Sequence, residues 1–441
     1  MSGPIPHRKA DWGIGTPLHT VVPPATIPSY NVENAIMHIR LLPQGLDSLT
    51  TQELIRMGHQ TPATIEQHDT QPFVFKVMDI PRDVASQLIT CLQSHSTRLS
   101  LHAPCWWHDA PGAHPDAIDL LIGGTQALPR LLRQCAQQTP VLSPIVHALE
   151  QALQAQQNAP AHLQLGSTQL PLGQRTYVMG IVNVTPDSFS DGGLYLQPEQ
   201  AVKHAEAMLE DGADIIDVGG ASSRPGATPV PPHVEAERVV PVVRQIVARF
   251  GALVSVDTYH ASVAKAALDE GAVMINDISA MRFDPEMLPL LASHHAAVVL
   301  MHMQGNPQTM QQAPVYRHVI DEIYTFLAKR LDTAVRHGMA RERLVCDPGF
   351  GFGKTLRHNV DLLNSLPSFR SLGQPLLIGT SRKSFLGRLL QREVWDRLEG
   401  TMASVLYAAL QGATLVRVHD VGPIAQAVRM LDAVRHPQAK R

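Results

Sequence analysis

At 441 residues the chain is longer than one ordinary hydrophobic core fills, so two domains are expected. Apolar residues make up 44% and both charge signs are interspersed, which excludes a disordered chain. A formal net charge of -3 supplies no field to recruit nucleic acid or acidic lipid, and no apolar run reaches the length of a membrane span.

Residues 1–33, rich in Pro, Gly and Thr, read as a loose leader without the apolar stretch of a secretory signal. The four cysteines, Cys91, Cys105, Cys135 and Cys346, form no CxxC pair, so a reducing, cytoplasmic setting is expected. Residues 34–157 mix strand-like runs (AIMHIRLL, FVFKVMD, AIDLLIGG) with segments of helical spacing (PRDVASQLITCLQSH, QALPRLLRQCAQQ, SPIVHALEQALQAQQ). That pattern predicts a smaller α/β N-terminal domain. It carries no phosphate loop, metal cluster or nucleophile motif; CWWH, at Cys105 to His108, offers half a zinc site and no second half. QAQQNAPAH then reads as a linker.

From 158 to 438 the pattern becomes regular. Eight apolar runs follow in order: YVMGIVNV, DIIDVGG, LVSVDT, VMINDIS, AVVLMHM, LVCDPGF, PLLIGTS and TLVRVHD. Amphipathic segments separate them, such as QPEQAVKHAEAMLEDGAD, with Ala201, Ala205, Met208 and Leu209 on one face and Gly212 as a stop. Continuous apolar strands between helices indicate parallel strands covered on both sides. Eight units in about 260 residues is the count and length of a (β/α)8 TIM barrel. A doubly wound sheet is the alternative, but the glycine fingerprint expected after its first strand is missing.

In such a barrel reactive groups gather where strands run into the following loops. The runs end in Asn183 and Asp187; Ser222, Ser223 and Arg224; Asp257; Asn276 and Asp277; Asp347; Ser381, Arg382, Lys383 and Ser384; Arg417, His419 and Asp420. Any one of these is as readily a helix cap as a functional group. So many at one rim point to a site. Asp257, Asn276 and Asp347 suit a planar heterocycle with several donors on one edge. Arg224, Lys383, Arg417 and His419 suit a phosphate or carboxylate. The glycine-bearing loops SDGG and RPGATP have the make-up of lids, and Phe189 and Phe352 of apolar walls.

The blocks NVTPDSFSDGG, DIIDVGGASSRPGA, VSVDT, MINDIS, DPGFGFGKT, GTSRKSFLG and VRVHDV resemble, in order and spacing, the signature blocks of dihydropteroate synthase. The resemblance implies a pterin-binding (β/α)8 barrel that condenses 6-hydroxymethyl-7,8-dihydropterin diphosphate with 4-aminobenzoate. The products are 7,8-dihydropteroate and pyrophosphate, and the family is the target of sulfonamides. It further implies pterin contacts at Asp257, Asn276, Met301, Asp347 and Lys383. Diphosphate contacts fall on Asn183, Ser223, Arg224, Arg417 and His419, with Mg²⁺ at Asn183. The 4-aminobenzoate slot falls on Pro186, Phe189, Phe352 and Ser384. Asp257, Asp347, Lys383 and Arg224 would carry catalysis, and a homodimer is implied.

Two departures stand out. GGASSRPG has Ala221 and Ser223 where the family commonly has Glu and Thr. Residues 34–157 lack the acidic metal pair of the pyrophosphokinase fused to some members: Asp116 and Asp119 are three apart, a spacing that on a strand turns one of them away. The N-terminal domain is therefore expected to be non-catalytic. Two rival readings remain: a methyltetrahydrofolate-dependent methyltransferase, which has no need of the Lys383, Arg417 and His419 set, and a non-catalytic pterin-binding scaffold.

Overall fold

The computed structural model describes residues 39–42, 73–99, 105–109, 117–124, 128–157, 159–184, 198–222 and 226–436. The leader 1–33 lies outside them. The N-terminal part comprises β1 (Ile39–Leu42), β2 (Phe73–Pro81), α1 (Arg82–Leu99), β3 (Cys105–Asp109), β4 (Ala117–Gly124), α2 (Leu128–Gln138) and α3 (Ser143–Gln157). Its sheet is antiparallel throughout, in the order β1-β2-β4-β3. The period of two along β2 decides what faces where. Phe75 and Val77 join Leu88, Leu92, Leu131 and Leu149 in the domain's own core. Met78, on the other face, packs into the core of the barrel. A register shift between Val77 and Ile80, with Asp79 at φ +54°, bends the strand there.

The stretch read as a linker begins inside a helix and ends on a strand. α3 runs through Gln157, and a hairpin of β5 (His162–Leu165) and β6 (Thr168–Pro171) follows. Leu163 and Leu165 are fully buried against Tyr177, Met179, Ile215, Met274, Ala297 and Leu415. Most of those residues open their strands, so the hairpin closes the N-terminal end of the barrel.

The barrel strands are β7 (Tyr177–Asn183), β8 (Ile215–Gly219), β9 (Leu253–Asp257), β10 (Met274–Asp277), β11 (Ala297–Met301), β12 (Leu344–Asp347), β13 (Leu377–Ile378) and β14 (Leu415–Val418). All their pairings are parallel, in the order β12-β11-β10-β9-β8-β7-β14-β13. A parallel bridge between Cys346 and Leu376 closes the ring. Each predicted run supplies one strand. The helices that cover them are α4 (Pro198–Glu210), α5 (Pro232–Phe250), α6 (Ala261–Asp269), α7 (Met287–Ser293), α8 (Val319–Arg336), α9 (Leu356–Asn364), α10 (Ser384–Leu390), α11 (Leu398–Leu410) and α12 (Val421–Arg435).

α4 follows its expected pattern, with Ala201, Ala205 and Met208 buried and Gly212 at φ +101° just past its end. Gly180 in β7 permits close packing: a Cβ there would lie 2.8 Å from Met208 Sδ and 3.1 Å from Val421 Cγ2. Helix cover on the outside and the hairpin below leave the C-terminal rim of the strands as the open end.

Candidate active site

Four of the expected polar residues end or nearly end strands on one side of the barrel: Asn183 on β7, Asp257 on β9, Asn276 on β10 and Asp347 on β12. Met301 ends β11 between the last two. Arg417 lies in β14, His419 just beyond it, and Lys383 immediately precedes α10 after β13. The parallel register brings these residues to one mouth. Gly219, which ends β8, lies between two of them, since a Cβ there would be 3.8 Å from Asn183 Oδ1 and 3.9 Å from Asp257 Oδ2. Pro186, Phe189, Ser223 and Arg224 lie outside the described residues.

A residue not singled out in the sequence organises the floor. Asp217, fully buried in β8, accepts from Arg417 Nε at 2.6 Å and from Asn276 Nδ2 at 3.0 Å. Arg417 Nη2 donates to Asp257 Oδ2 at 2.9 Å. The guanidinium is thus drawn from the rim toward the floor and joins the carboxylates of strands two and three. Asp217 Oδ1 is buried with no hydrogen-bond partner, an acceptor left open in the same place. Asp347 Oδ1 accepts the amide N–H of Gly349 at 2.7 Å, which fixes its carboxylate at the turn.

Burial dominates the electrostatics. It raises the Asp257 carboxyl well above the usual carboxylate range, despite Arg417 beside it, with Asp217 and Glu235 pushing the same way. It raises Asp347 to about 6, against the Gly349 hydrogen bond and Lys383. Burial and the neighbouring Arg417 lower Lys383 to about 8. His419 is pushed down to about 3, first by burial and then by Arg417, so its imidazole is neutral near pH 7. Its Nδ1 pairs with Ser381 Oγ at 3.0 Å. Perturbed acids and bases gathered at one mouth are the physical mark of a functional site.

The apolar side is built by Ile278, Met301, Met303, Met310 and Phe352, with Tyr259 against them. Lys383 Nζ stands 4.2 Å from the centre of the Phe352 ring, a cation–π contact joining the polar and apolar halves. Ser384, the first residue of α10, is exposed. A cavity of about 210 Å³ adjoins Asp257, lined by Ala221, Ser222, Glu235, Tyr259, Phe283 and Pro307.

Other strand-end residues hold structure. Asp277 is fully buried and accepts the N–H groups of Ser279 and Met281, each at 2.7 Å, so it shapes a turn. Arg382 and Asp420 pair with each other. Lys354, inside the quoted block DPGFGFGKT, is 3% exposed and donates to the carbonyls of Gly349 at 2.8 Å and Phe352 at 3.1 Å. Its ammonium knits together the loop that carries Phe352.

Buried carboxylates, an amide and cations gathered at a barrel mouth define an enzyme that handles a polar heterocycle. Residues 179–419 match the family described as Pterin binding enzyme. Over 257 residues the chain is 48% identical to the dihydropteroate synthase of Escherichia coli K12, covering 58% of this chain and 91% of that one. Its barrel also superimposes on the Yersinia pestis dihydropteroate synthase solved with a sulfonamide drug (TM-score 0.60, 44% identity, 62% of this chain and 99% of that one). A similar match is the Xanthomonas albilineans dihydropteroate synthase solved with 4-aminobenzoic acid (TM-score 0.59, 45% identity, 62% and 98%). The chain belongs to the dihydropteroate synthases of the pterin-binding enzyme family.

Proposed function

We infer that this barrel condenses 6-hydroxymethyl-7,8-dihydropterin diphosphate with 4-aminobenzoate to give 7,8-dihydropteroate and pyrophosphate. The observation that carries the reading is the meeting of Asp257, Asn276, Asp347, Lys383 and Arg417 at one mouth. Asp257, Asn276 and Asp347 accept from and donate to the N–H-rich edge of the pterin. Lys383 serves an acceptor on the ring, and Met301 packs on its face.

The chemistry follows from charge. The bond between the pterin methylene and the diphosphate oxygen breaks, its electron pair leaving with pyrophosphate, and positive charge spreads over the ring. Two desolvated carboxylates, held as costly anions in the free protein, are best relieved when that cation forms, so they favour the transition state over the ground state. Arg417, His419, Ser223 and Arg224 take the leaving diphosphate. The neutral amine of 4-aminobenzoate, framed by Phe352, Ser384, Pro186 and Phe189, forms the new C–N bond and sheds its proton to water or pyrophosphate. No dedicated base and no covalent enzyme intermediate are needed.

Among the described residues no three His, Cys, Asp or Glu groups converge as a metal cage. A donor set of one amide oxygen, from Asn183, suits Mg²⁺, which keeps its waters and takes phosphate oxygens from the substrate. Bound there, Mg²⁺ would neutralise charge on the diphosphate. Homodimerisation is supported by exposed apolar side chains toward the C-terminus: Trp395, Leu410, Met430 and Val434 are 76%, 56%, 67% and 65% exposed. Among the described residues no helix is long and apolar enough to cross a membrane. The scattered free cysteines favour a reducing cytoplasm.

The direct test mixes purified protein with pterin diphosphate, labelled 4-aminobenzoate and Mg²⁺. Labelled dihydropteroate is expected. Methyl transfer from methyltetrahydrofolate, or no product from a folded sample that binds pterin, would overturn the reading.

A further inference from the structure

The N-terminal sheet seats on the barrel at the start of α8, and it does so with a buried charge. Lys76, on the β2 face opposite the domain's own core, is 1% exposed. Its Nζ lies 2.7 Å from Asp321 Oδ2, in the first turn of α8, and 3.2 Å from Asp119 Oδ2 on β4. Tyr324, one turn further along α8, donates its hydroxyl to the Ile39 carbonyl of β1 at 2.8 Å, and Met78 fills the barrel core beside them. Burying an ion pair gains little over an apolar contact, but it fixes one arrangement of the parts that carry it. What it fixes here is the end of the loop 302–318, which follows strand five of the barrel.

That loop is tied to α8 and to the mouth. Glu322, next to Asp321, accepts the N–H groups of Arg317 at 2.7 Å and His318 at 3.1 Å. Gln304 and Val315 bond each other across the loop, at 2.7 and 3.2 Å. At its outer side Pro307 accepts the N–H of Gly226, in the RPGATP loop after strand two, at 3.1 Å. Tyr316 donates to the Gly353 carbonyl at 2.8 Å, and Gln311 to that of Gly351, on either side of Phe352.

We propose that the N-terminal domain is a brace for the 4-aminobenzoate side of the site, with Lys76 as a positioning residue acting through Asp321 and the loop 302–318. The proposal rests on the synthase reading for what that side of the site binds. Asp257 and Asn276 on the barrel floor are held by their strands and by the Asp217–Arg417 network rather than by the loop.

The test uses the full chain with Lys76→Met. KM for 4-aminobenzoate is expected to rise about three- to thirtyfold, the range over which remote positions modulate coupling, with pterin diphosphate affinity unchanged by calorimetry. Amide hydrogen exchange at Gly226 is expected to speed up. Lys76→Met combined with Asp321→Leu and Asp119→Asn removes every charge of the buried cluster and is expected to restore both readouts. An unmoved KM and Gly226 exchange in the single variant, or a combined variant as impaired as the single, would overturn the brace. Should Lys76→Met fail to fold, Tyr324→Phe carries the same test: a raised KM with pterin affinity intact supports the brace, and an unmoved KM overturns it. A parent protein that makes no dihydropteroate would defeat the synthase reading instead, while Gly226 exchange would still report on the brace.

Discussion

Asp217 and Arg417, 200 residues apart in sequence, meet at 2.6 Å across the barrel, and through them Asn276 and Asp257 are tied into one network. The carboxylate is fully buried and the guanidinium nearly so, so each compensates the desolvation of the other. Removing either leaves a charge stranded in the interior.

Asp217→Ala is therefore expected to cost about 3–5 kcal/mol of folding stability, measured by urea unfolding. Asp217→Asn keeps the shape and drops the charge, leaving Arg417 with Asp257 as its one ion-pair partner on the floor. It is expected to fold while binding pterin diphosphate at least about tenfold more weakly. Parent-like affinity in a folded Asp217→Asn protein would show that Arg417 is placed without it.

The pH dependence has a definite sign. Asp347 and Asp257 serve as anions and Lys383 as a cation. kcat/KM is expected to rise between pH about 6 and about 7, where Asp347 and then Asp257 ionise, and to fall again near 8 as Lys383 loses its proton. Stability runs the other way for the carboxyl group. Asp347 has a folded pKa above its unfolded value, so its contribution is most favourable below 3.8 and becomes a cost between there and about 6. At pH 8, Asp347→Asn is expected to raise the thermal midpoint, by up to about 3 kcal/mol in free energy, while abolishing pterin binding. A lowered midpoint would mean that the ion is held by more than it costs.

Phe352 touches the Lys383 ammonium and lies on the apolar wall. Phe352→Ala is expected to raise KM for 4-aminobenzoate about tenfold and leave the pterin diphosphate dissociation constant in place, as read by steady-state kinetics beside calorimetry. Equal losses for both substrates would place the ring in the pterin pocket instead.

Gly349 has φ +73°, and a Cβ there would run into the His302 carbonyl oxygen. Gly349→Ala is expected to cost at least about 1–3 kcal/mol by thermal unfolding, since backbone must move on both sides. It should also displace Asp347, whose carboxylate holds the Gly349 amide. A parent-like midpoint would mean that the loop relaxes freely.

If Met430, Leu410 and their apolar neighbours form the homodimer contact, Met430→Glu should shift the sedimentation coefficient from dimer to monomer. A parent-like dimer would put the contact on another face.

The barrel was largely legible because its strands are covered on both sides and so appear as continuous apolar runs, nearly all closed by a polar residue at the rim. Asp217 was not, although it stands in the quoted run DIIDVGG. Attention to strand ends passes over a carboxylate two residues inside one. The available signal was the ion itself, since an acid within an otherwise apolar parallel strand needs a buried partner. Lys354 gave the same kind of signal in GFGKT, as did Lys76 in FVFKVMD, where a lone lysine interrupts a buried strand. The hairpin at 162–171 was hidden by its polar residues: Leu163 and Leu165 are buried against the barrel and Leu170 partly so, too few inward residues in two four-residue strands to show a period. His419 follows β14 at the rim, but its neutral state depends on burial and then on Arg417 beside it, which spacing along the chain does not report.

The most direct measurement is calorimetric titration of pterin diphosphate into the parent and into Asp257→Ala. Asp257 sits where the carboxylate network meets the mouth, so its removal is expected to abolish detectable binding while the protein stays folded by circular dichroism. Binding by a folded Asp257→Ala protein within about threefold of the parent would contradict the placement of the pterin on the barrel floor.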